Sequence, residues 1–592
     1  MSAVKLLQDA NTLQDVAHLL GFKPKALAYL IRVMHLSLRY SQFEIPKRSG
    51  GKRIISAPNA KLKLLQKRLA KHLQLCEAEI ESARGVKQRL AHGFKKDQSI
   101  LTNADVHRKR RYVLNIDIED FFGSINFGRI RGFFIKNKDF CLKPDVATVI
   151  AQIACHNNAL PQGSPCSPVL SNLIANIMDI KLARLSKING CSYTRYVDDI
   201  TFSTSKKDFP KDLAVTTPES QNLWVPGKAL EKIIGDCGFT INAKKTRLQY
   251  CYSRQDVTGI VVNQRVNTRS EYRRMLRAMV HRLCANGSYS LQKCELTATG
   301  STTMSTKLGS LAELEGMLNF ARHVEVWSQR NDFPKRVALT SSELLLRRFL
   351  FFKEFSGQKK PVLLFEGKTD AIYLRESMRR LASTFPLLAT PGTTPLKLHI
   401  KLYRQSDTSG KLFGLKGGTG HFLEFIKNYG DNYKQISAPK GEFPVIILLD
   451  NDSGIKSVFS LIKDKYKIIP AAGQQYFNVT GNLYIMLTSP FGGPDHCIED
   501  MFDAATLATP IGGKSFSKSN NFNQNSQYGK TWFAEKVIKN NNSTSVFNGF
   551  YPLLTELVSL ISRHTLSHNS AKPALLASSY SPPSLAPLPV VP

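Results

Sequence analysis

Two adjacent aspartates, Asp198 and Asp199, interrupt the stretch Cys191–Ser203, and on both sides of them apolar and polar residues alternate among β-branched and aromatic side chains. Alternation with a period of two marks strands, so the stretch reads as a β-hairpin with the two acids at its turn. Neighbouring carboxylates repel, and keeping both ionised beside an apolar sheet costs free energy unless a cation neutralises them. Oxygen donors of this kind suit Mg2+, which takes one or two protein carboxylates and leaves room for substrate phosphates. A solvated Asp-Asp turn has the same local sequence; the rest of the chain separates the two readings.

A further acid lies upstream. The apolar run Tyr112–Ile118 leads into Asp117-Ile118-Glu119-Asp120-Phe121-Phe122. Asp117 alternates with Ile116 and Ile118, so it leaves a strand on the face opposite to theirs, with its direction fixed by a rigid element. Between the two acidic segments, the Pro/Gly-punctuated loop Leu160–Pro168 runs into the helically spaced Val169–Leu182. Gly163 permits close approach of the backbone to a ligand, and Gln162 and Ser164 offer hydrogen-bonding groups. Residues 1–45 read as a small helical lead-in. Lys47–Arg53 is a basic, glycine-centred turn suited to phosphate, and residues 59–80 are an amphipathic helix with Leu62, Leu65, Leu69 and Leu73 on one face.

Charge narrows the class of partner. The 592 residues carry 81 Lys and Arg against 46 Asp and Glu, a formal +35, and residues 1–350 alone hold 55 basic and 29 acidic residues. An excess concentrated in one part of the chain points to a polyanion, and with no basic amphipathic helix beside an anchor, nucleic acid is favoured over a membrane. No apolar run reaches the roughly 18–20 residues of a membrane span, and the N-terminus lacks a signal-peptide core. The expectation is a cytoplasmic bacterial protein. The ten cysteines form no CxxC pair, so neither a zinc ribbon nor a disulfide framework is suggested.

In order and spacing, Asp117–Phe122, Leu160-Pro161-Gln162-Gly163-Ser164 and Tyr196-Val197-Asp198-Asp199 resemble the palm motifs of reverse transcriptases. Gly238–Thr246 resembles the palm motif that follows, with a lysine, Lys244, near the active site. Two further pieces resemble the retron branch: Asn103-Ala104-Asp105-Val106-His107, its NAxxH box, and Val257-Thr258-Gly259, its VTG box. The resemblance covers about residues 20–345. It implies an α+β right-hand polymerase, with fingers and palm over 46–264 and an RNA-binding thumb over 265–355. It implies Asp117, Asp198 and Asp199 as catalytic residues and places Asp117, Ile118, Asp198 and Asp199 at a pair of Mg2+ ions, for which Mn2+ can substitute. Phe122 would lie beneath the incoming sugar and exclude a 2′-hydroxyl, with Gln162, Gly163 and Lys244 also binding substrate. Asn103, His107, Val257, Thr258, Gly259, Arg273, Arg274 and Arg277 would contact RNA.

A second acidic pattern follows the linker-like Ser356–Lys360. The buried-strand run Pro361–Phe365 ends in Glu366-Gly367-Lys368-Thr369-Asp370, and Phe443–Leu449 ends in Asp450-Asn451-Asp452. Acids at the ends of two apolar strands, with helix-forming sequence between, suggest a parallel α/β sheet with its site at the strand C-termini. Each piece alone reads equally as a strand cap. Together they resemble a TOPRIM domain, an α/β Rossmannoid fold, here over 356–570. The resemblance implies Glu366 as general acid/base or metal ligand and Asp450 and Asp452 as ligands of one or two Mg2+. Cys497–Phe502 and Tyr528–Ala534 resemble later elements of overcoming-lysogenization-defect nucleases, adding Glu499 as a metal ligand and Lys530 as a transition-state cation. Residues 571–592, with six prolines and the single charge Lys572, are expected to be disordered.

The resemblances imply a retron polymerase that uses deoxynucleoside triphosphates to copy a cognate structured non-coding RNA into a branched, RNA-linked single-stranded DNA (msDNA). They add a fused nuclease acting in antiphage defence by abortive infection, and leave assembly into a homo-oligomer with the nucleic acid open. Two alternatives stay open at this point: a mobile-intron or diversity-generating reverse transcriptase, and a nucleic-acid-binding scaffold whose TOPRIM-like domain is a catalytically silent sensor.

Overall fold

The computed structural model describes residues 2–46, 51–85, 90–217, 220–296, 302–330, 338–415, 419–519 and 521–570. The C-terminal tail and most of the basic turn at 47–50 lie outside the described residues. The chain divides into two compact units: Met1–Arg274 with Leu291–Lys307 and Phe320–Lys335, and Met275–Ser290 with Leu308–Asn319 and Arg336–Pro592. Among the described residues no helix is long and apolar enough to cross a membrane.

In the first unit, β1 (Tyr40–Pro46) and β2 (Lys52–Pro58) form an antiparallel hairpin, followed by the helix Ala60–Ala83. Leu62, Leu65, Leu69 and Leu73 are all buried on one face of that helix, as their spacing requires. The central sheet is built around β3 (Tyr112–Glu119). On one side β3 pairs antiparallel with β5 (Asp199–Thr204), which pairs with β4 (Ser192–Tyr196). A second hairpin, β6 (Ala214–Thr217) and β7 (Ser220–Pro226), follows. On its other side β3 pairs with the short β8 (Thr240–Ile241) and with β9 (Arg247–Tyr250).

Alternation along β3 sorts its side chains. Leu114, Ile116 and Ile118 join the main core with Ile200 and Phe202 of β5 and with Leu170, Met178 and Leu182 of the helix Ser167–Ile188. Val113 faces the other way. It packs with Leu101, Ala104, Val257, Ile260 and Val262 in a smaller core formed by the helix Ile100–Val106 and the pair β10 (Asp256–Val257) and β11 (Ile260–Val261). The hairpin β12 (Ser290–Leu296) and β13 (Thr302–Leu308) follows the helix Ser270–Asn286.

The second unit contains a five-stranded sheet. Its strands are β14 (Val362–Phe365), β15 (Lys401–Leu402), β16 (Val445–Leu449), β17 (Tyr476–Thr480) and β18 (Leu483–Leu487), in the spatial order β15-β14-β16-β18-β17. All neighbours are parallel except β17 and β18. Every residue of β14 and β16 is buried, which is why both read as unbroken apolar runs. The helices Asp370–Arg380 and Thr419–Lys434 lie in the crossover from β14 to β16. Residues 356–360, linker-like in sequence, are instead fixed. Ser356 is 1% exposed and its carbonyl accepts from Gly441 N at 2.8 Å, while Gln358 Nε2 donates to the Phe443 carbonyl at 2.9 Å. Burial and satisfied backbone groups make this segment part of the second unit's packing.

Candidate active sites

The β3–β5 register sets Asp117 directly opposite Asp199. Asp198 occupies the turn between β4 and β5, and its carbonyl accepts from Ile118 N at 3.0 Å, which ties the turn to β3. The residue before it, Val197, has φ +62°, a left-handed conformation that a β-branched residue adopts only when its surroundings impose it. Gly93 makes room for this turn: a Cβ there would lie 2.6 Å from Val197 Cγ2 and 2.8 Å from its amide. Three carboxylates thus converge from two adjacent strands. Burial raises Asp198, and the charge of Asp117 adds to it. The Asp199 carboxylate reaches solvent at the rim, yet partial desolvation and the charges of Asp198 and Asp117 push it up to about 6.

The site already holds one cation of the protein's own. Lys245 Nζ lies 2.9 Å from Asp117 Oδ1, and Asn242 Nδ2 donates to Asp117 Oδ2 at 3.3 Å. Among the described residues no group of three His, Cys, Asp or Glu side chains is drawn in closely enough to enclose an ion. A mutually repelling acid set that recruits an ammonium nevertheless fits a divalent cation, with Asp117, Asp198 and Asp199 as oxygen donors. Ile118 is buried and offers no side-chain donor. Ala243–Lys245 is a single 3-10 turn whose two lysines are both exposed, and it is Lys245 that reaches Asp117.

Gly163 has φ +123°, and a Cβ on it would meet the Ser56 carbonyl at 2.7 Å. The close approach is to β2 of the protein itself, where Ser56 N donates to the Gln162 carbonyl at 2.8 Å. Phe122 is half-buried and packs edge-on against Phe121, which stacks on Phe239 with centroids 5.5 Å apart.

The residues expected to touch RNA divide. Asn103, His107 and Val257 are each 0% exposed, with their side chains enclosed by the protein. His107 bonds Ser203 Oγ and Thr194 Oγ1, both at 2.7 Å, and so holds β5 and β4; burial, then the charges of His92 and Arg110, lowers it to about 3 and keeps the ring neutral. Thr258 (φ +47°) and Gly259 (φ +80°) form the turn between β10 and β11. Arg273 donates to Asn267 Oδ1 at 3.1 Å and to the Thr268 carbonyl. Arg274 and Arg277 are exposed on the helix Ser270–Asn286 and remain available to phosphates.

In the second unit the segments after β14 and β16 bring a second acidic group together. Asp450 N donates to Glu366 Oε1 at 3.3 Å, and Ile498 N donates to Asp450 Oδ1 at 3.0 Å. Burial, followed by the charges of Glu366, Asp370 and Glu499, pushes Asp450 up to about 8. Glu499 is fully buried and paired with Lys530 at 3.0 Å. Asp370, the last residue of the acidic run after β14, belongs to this group: its carboxylate accepts from Gly367 N at 2.8 Å, and burial raises it to about 6. Asp452 sits differently. It is exposed, and its Oδ1 accepts from Gly454 N at 2.8 Å as the cap of a 3-10 turn. Glu366, Asp370 and Glu499 thus all act electrostatically on Asp450, while Asp452 caps its own turn.

Residues 45–272 match the family model described as reverse transcriptase (RNA-dependent DNA polymerase), and the palm-like sheet of the first unit belongs to that polymerase fold. The chain is 34% identical over 291 residues to the retron Mx65 reverse transcriptase of Myxococcus xanthus, covering 46% of this chain and 62% of that protein. It is 31% identical over 277 residues to the retron Mx162 reverse transcriptase of the same organism, covering 43% and 54% respectively. In both cases it spans less than two thirds of the relative's length. Against the retron Ec86 reverse transcriptase of Escherichia coli the identity is 31% over 283 residues, which is 47% of this chain and 80% of that protein. The acids Asp117, Asp198 and Asp199 fall inside the matched region, and by this similarity the chain belongs to the family of retron reverse transcriptases.

Proposed function

We propose that residues 46–355 act as an RNA-directed DNA polymerase that copies part of a dedicated structured RNA into a branched RNA-linked DNA, with 46–264 as fingers and palm and 265–355 as thumb. The observation that carries this reading is the register that sets Asp117 opposite Asp199 with Asp198 in the adjoining turn. Magnesium bound by these three carboxylates supplies charge neutralisation and activation of the attacking and leaving oxygens. The chain's own residues set the geometry. β3 and β5 fix the acids, Lys245 balances Asp117 before substrate arrives, and Phe122 stands where a sugar ring would meet an aromatic edge. Arg274 and Arg277 supply phosphate contacts along an exposed helix face. The test is extension of RNA purified with the protein, using labelled deoxynucleotides. The wild type is expected to make DNA linked to RNA through a 2′-hydroxyl, and Asp198→Asn to make none. Random host RNA with no linked DNA would overturn the reading.

For 356–570 the reading is a TOPRIM-like, metal-dependent nuclease with Glu366, Asp370, Asp450 and Glu499 around the ion and Lys530 beside the cut phosphate. Its support is the gathering of Glu366, Asp370 and Asp450 after the C-terminal ends of two parallel strands, β14 and β16, with Glu499 brought in from the 3-10 turn Ile498–Met501. In this account the polymerase–DNA complex restrains the nuclease in a bacterial cell and phage infection releases it. Metal-dependent cleavage of DNA or RNA by the wild type, absent in Asp450→Ala, is the expected outcome. If Glu366→Ala still aborted infected cells, the effector role would fall.

A further inference from the structure

Arg195 lies three residues before the first aspartate of the dyad and is 0% exposed. A buried guanidinium has five donors to satisfy, and where they go reveals what the residue is for. Its Nε and Nη2 reach the two oxygens of Asp179 at 2.7 and 2.8 Å, a bidentate pair with a carboxylate that is itself 1% exposed. Tyr193 OH donates to the same carboxylate at 2.6 Å. Nη2 also reaches Asn172 Oδ1 at 3.2 Å, and Asn172 Nδ2 donates to the Gly93 carbonyl at 2.8 Å. Two N–H groups remain, both on Nη1, and one of them reaches the Val197 carbonyl at 2.9 Å. The guanidinium carbon Cζ lies over the Phe121 ring, 5.6 Å from its centroid.

The contact to Val197 separates this pair from an ordinary buried ion pair. The Val197 carbonyl belongs to the peptide that joins Val197 to Asp198, and Val197 is the residue in the left-handed conformation. Fixing that carbonyl fixes the rotation of the peptide from which the Asp198 side chain departs. A β-branched residue at φ +62° would relax toward an extended backbone unless held, and such relaxation would swing Asp198 away from Asp117. Gly93, anchored through Asn172, closes the other side: its missing Cβ leaves just enough space for Val197. Asp179 and Asn172 come from the helix Ser167–Ile188, so the turn is locked to a rigid element behind the sheet. Asp179 cancels the guanidinium's charge, which leaves Arg195 to act by geometry rather than by lowering the charge on the dyad.

We propose that Arg195, clamped by Asp179, is a positioning residue for the polymerase reaction. It holds the strained Val197–Asp198 peptide in the orientation that lets Asp198 join Asp117 and Asp199 in binding the metal. The proposal rests on the polymerase reading of this site. Its signature is a loss in turnover and in apparent Mg2+ affinity, with template-primer binding retained, because Arg195 touches neither nucleic acid nor solvent.

Three variants test it on the full chain. Arg195→Lys keeps a charge for Asp179 but lacks the donors to hold Asp179 with both oxygens and Val197 together. The double variant Asp179→Asn with Arg195→Met removes both charges at once, so no lone buried ion is left to unfold the protein. Val146→Ala, in the buried face of the helix Pro144–Ala154, is a control that loses packing in the same core without touching the turn. Extension rate, template-primer affinity and the Mg2+ concentration giving half the maximal rate are measured below each variant's melting temperature. Whichever Arg195 variant is folded is expected to show a tenfold or greater fall in kcat and a severalfold rise in the Mg2+ requirement, with affinity within twofold of wild type and Val146→Ala normal in all three. A folded Arg195 variant with wild-type kcat and Mg2+ dependence overturns the proposal. So does a Val146→Ala protein that reproduces the same kcat and Mg2+ changes, because general loosening would then explain them. If the wild type itself extends no primer, the polymerase reading fails, and that result is distinct from either of these.

Discussion

Asp199 links the chemistry of the polymerase site to its stability. Its folded-state pKa, about 6, lies above the usual carboxylate value of 3.8. A carboxyl raised in this way binds its proton more tightly folded than unfolded, so its stabilisation is present at low pH and is lost as pH rises from about 4 through about 6. Asp198 shifts in the same direction. The metal-free protein should therefore melt at lower temperature at pH 7.5 than at pH 5.5, and Mg2+ should recover part of the difference at pH 7.5 by binding only the folded form. Asp199→Asn should narrow the gap between the two pH values; a gap left unchanged in scanning calorimetry would count against the assignment. Lys245→Ala should reduce extension more than Lys244→Ala, as only Lys245 meets Asp117. The dyad and Asp117 were legible in sequence because strand alternation fixes which face a residue takes. The choice between Lys244 and Lys245 was not, since a 3-10 turn has no strong periodicity. Arg195 stood in the opening stretch of sequence, but nothing local reveals that a charged residue is buried, and the partner that explains it is 16 positions away.

Among elements, the loop Leu160–Ser164 and the hairpin β1–β2 depend on each other at one point. Gly163→Ala would drive a Cβ into the Ser56 carbonyl and force a φ of +123° on an L-residue, at a cost of about 1–3 kcal/mol. The expected result is a lower melting temperature and a mispositioned β2. Limited proteolysis should detect it as faster cutting near Lys52 and Arg53. The NAxxH and VTG boxes changed meaning at this scale. Their sequences were recognisable, but their side chains build a small core and brace β4 and β5. His107→Ala leaves two buried hydroxyls without their partner and should cost about 1–3 kcal/mol of stability, while RNA affinity per folded molecule stays within about twofold. A large affinity loss in a fully folded His107→Ala protein would contradict this. In the second unit, apolar strands ending in acids foretold the parallel sheet, while the places of Asp370 and Asp452 depend on turns that no strand pattern reveals. The first is gathered in by the turn after β14, while the second caps its own turn.

At the scale of the whole molecule, the chain carries two acid-rich centres in two separately packed units. Each uses the same physics: carboxylates are brought together, Asp198 and Asp199 in one centre and Asp370 and Asp450 in the other are raised by burial and neighbouring charge, and a lysine supplies part of the balance. Because Asp450 sits at about 8, ionising it costs the second unit stability as pH rises from about 4 to about 8. Asp450→Asn should raise the melting temperature at pH 8 while leaving primer extension intact, and Asp198→Asn should leave the second unit's metal response intact. The central claim is that Asp117, Asp198 and Asp199 form the centre that makes DNA on a dedicated RNA. The most direct measurement is sequencing of the nucleic acid that purifies with wild-type protein and with Asp198→Asn, under identical expression. The account predicts one RNA species covalently joined to DNA in the wild type, and the same RNA without DNA in the variant. RNA-linked DNA in equal amount from the variant would contradict it.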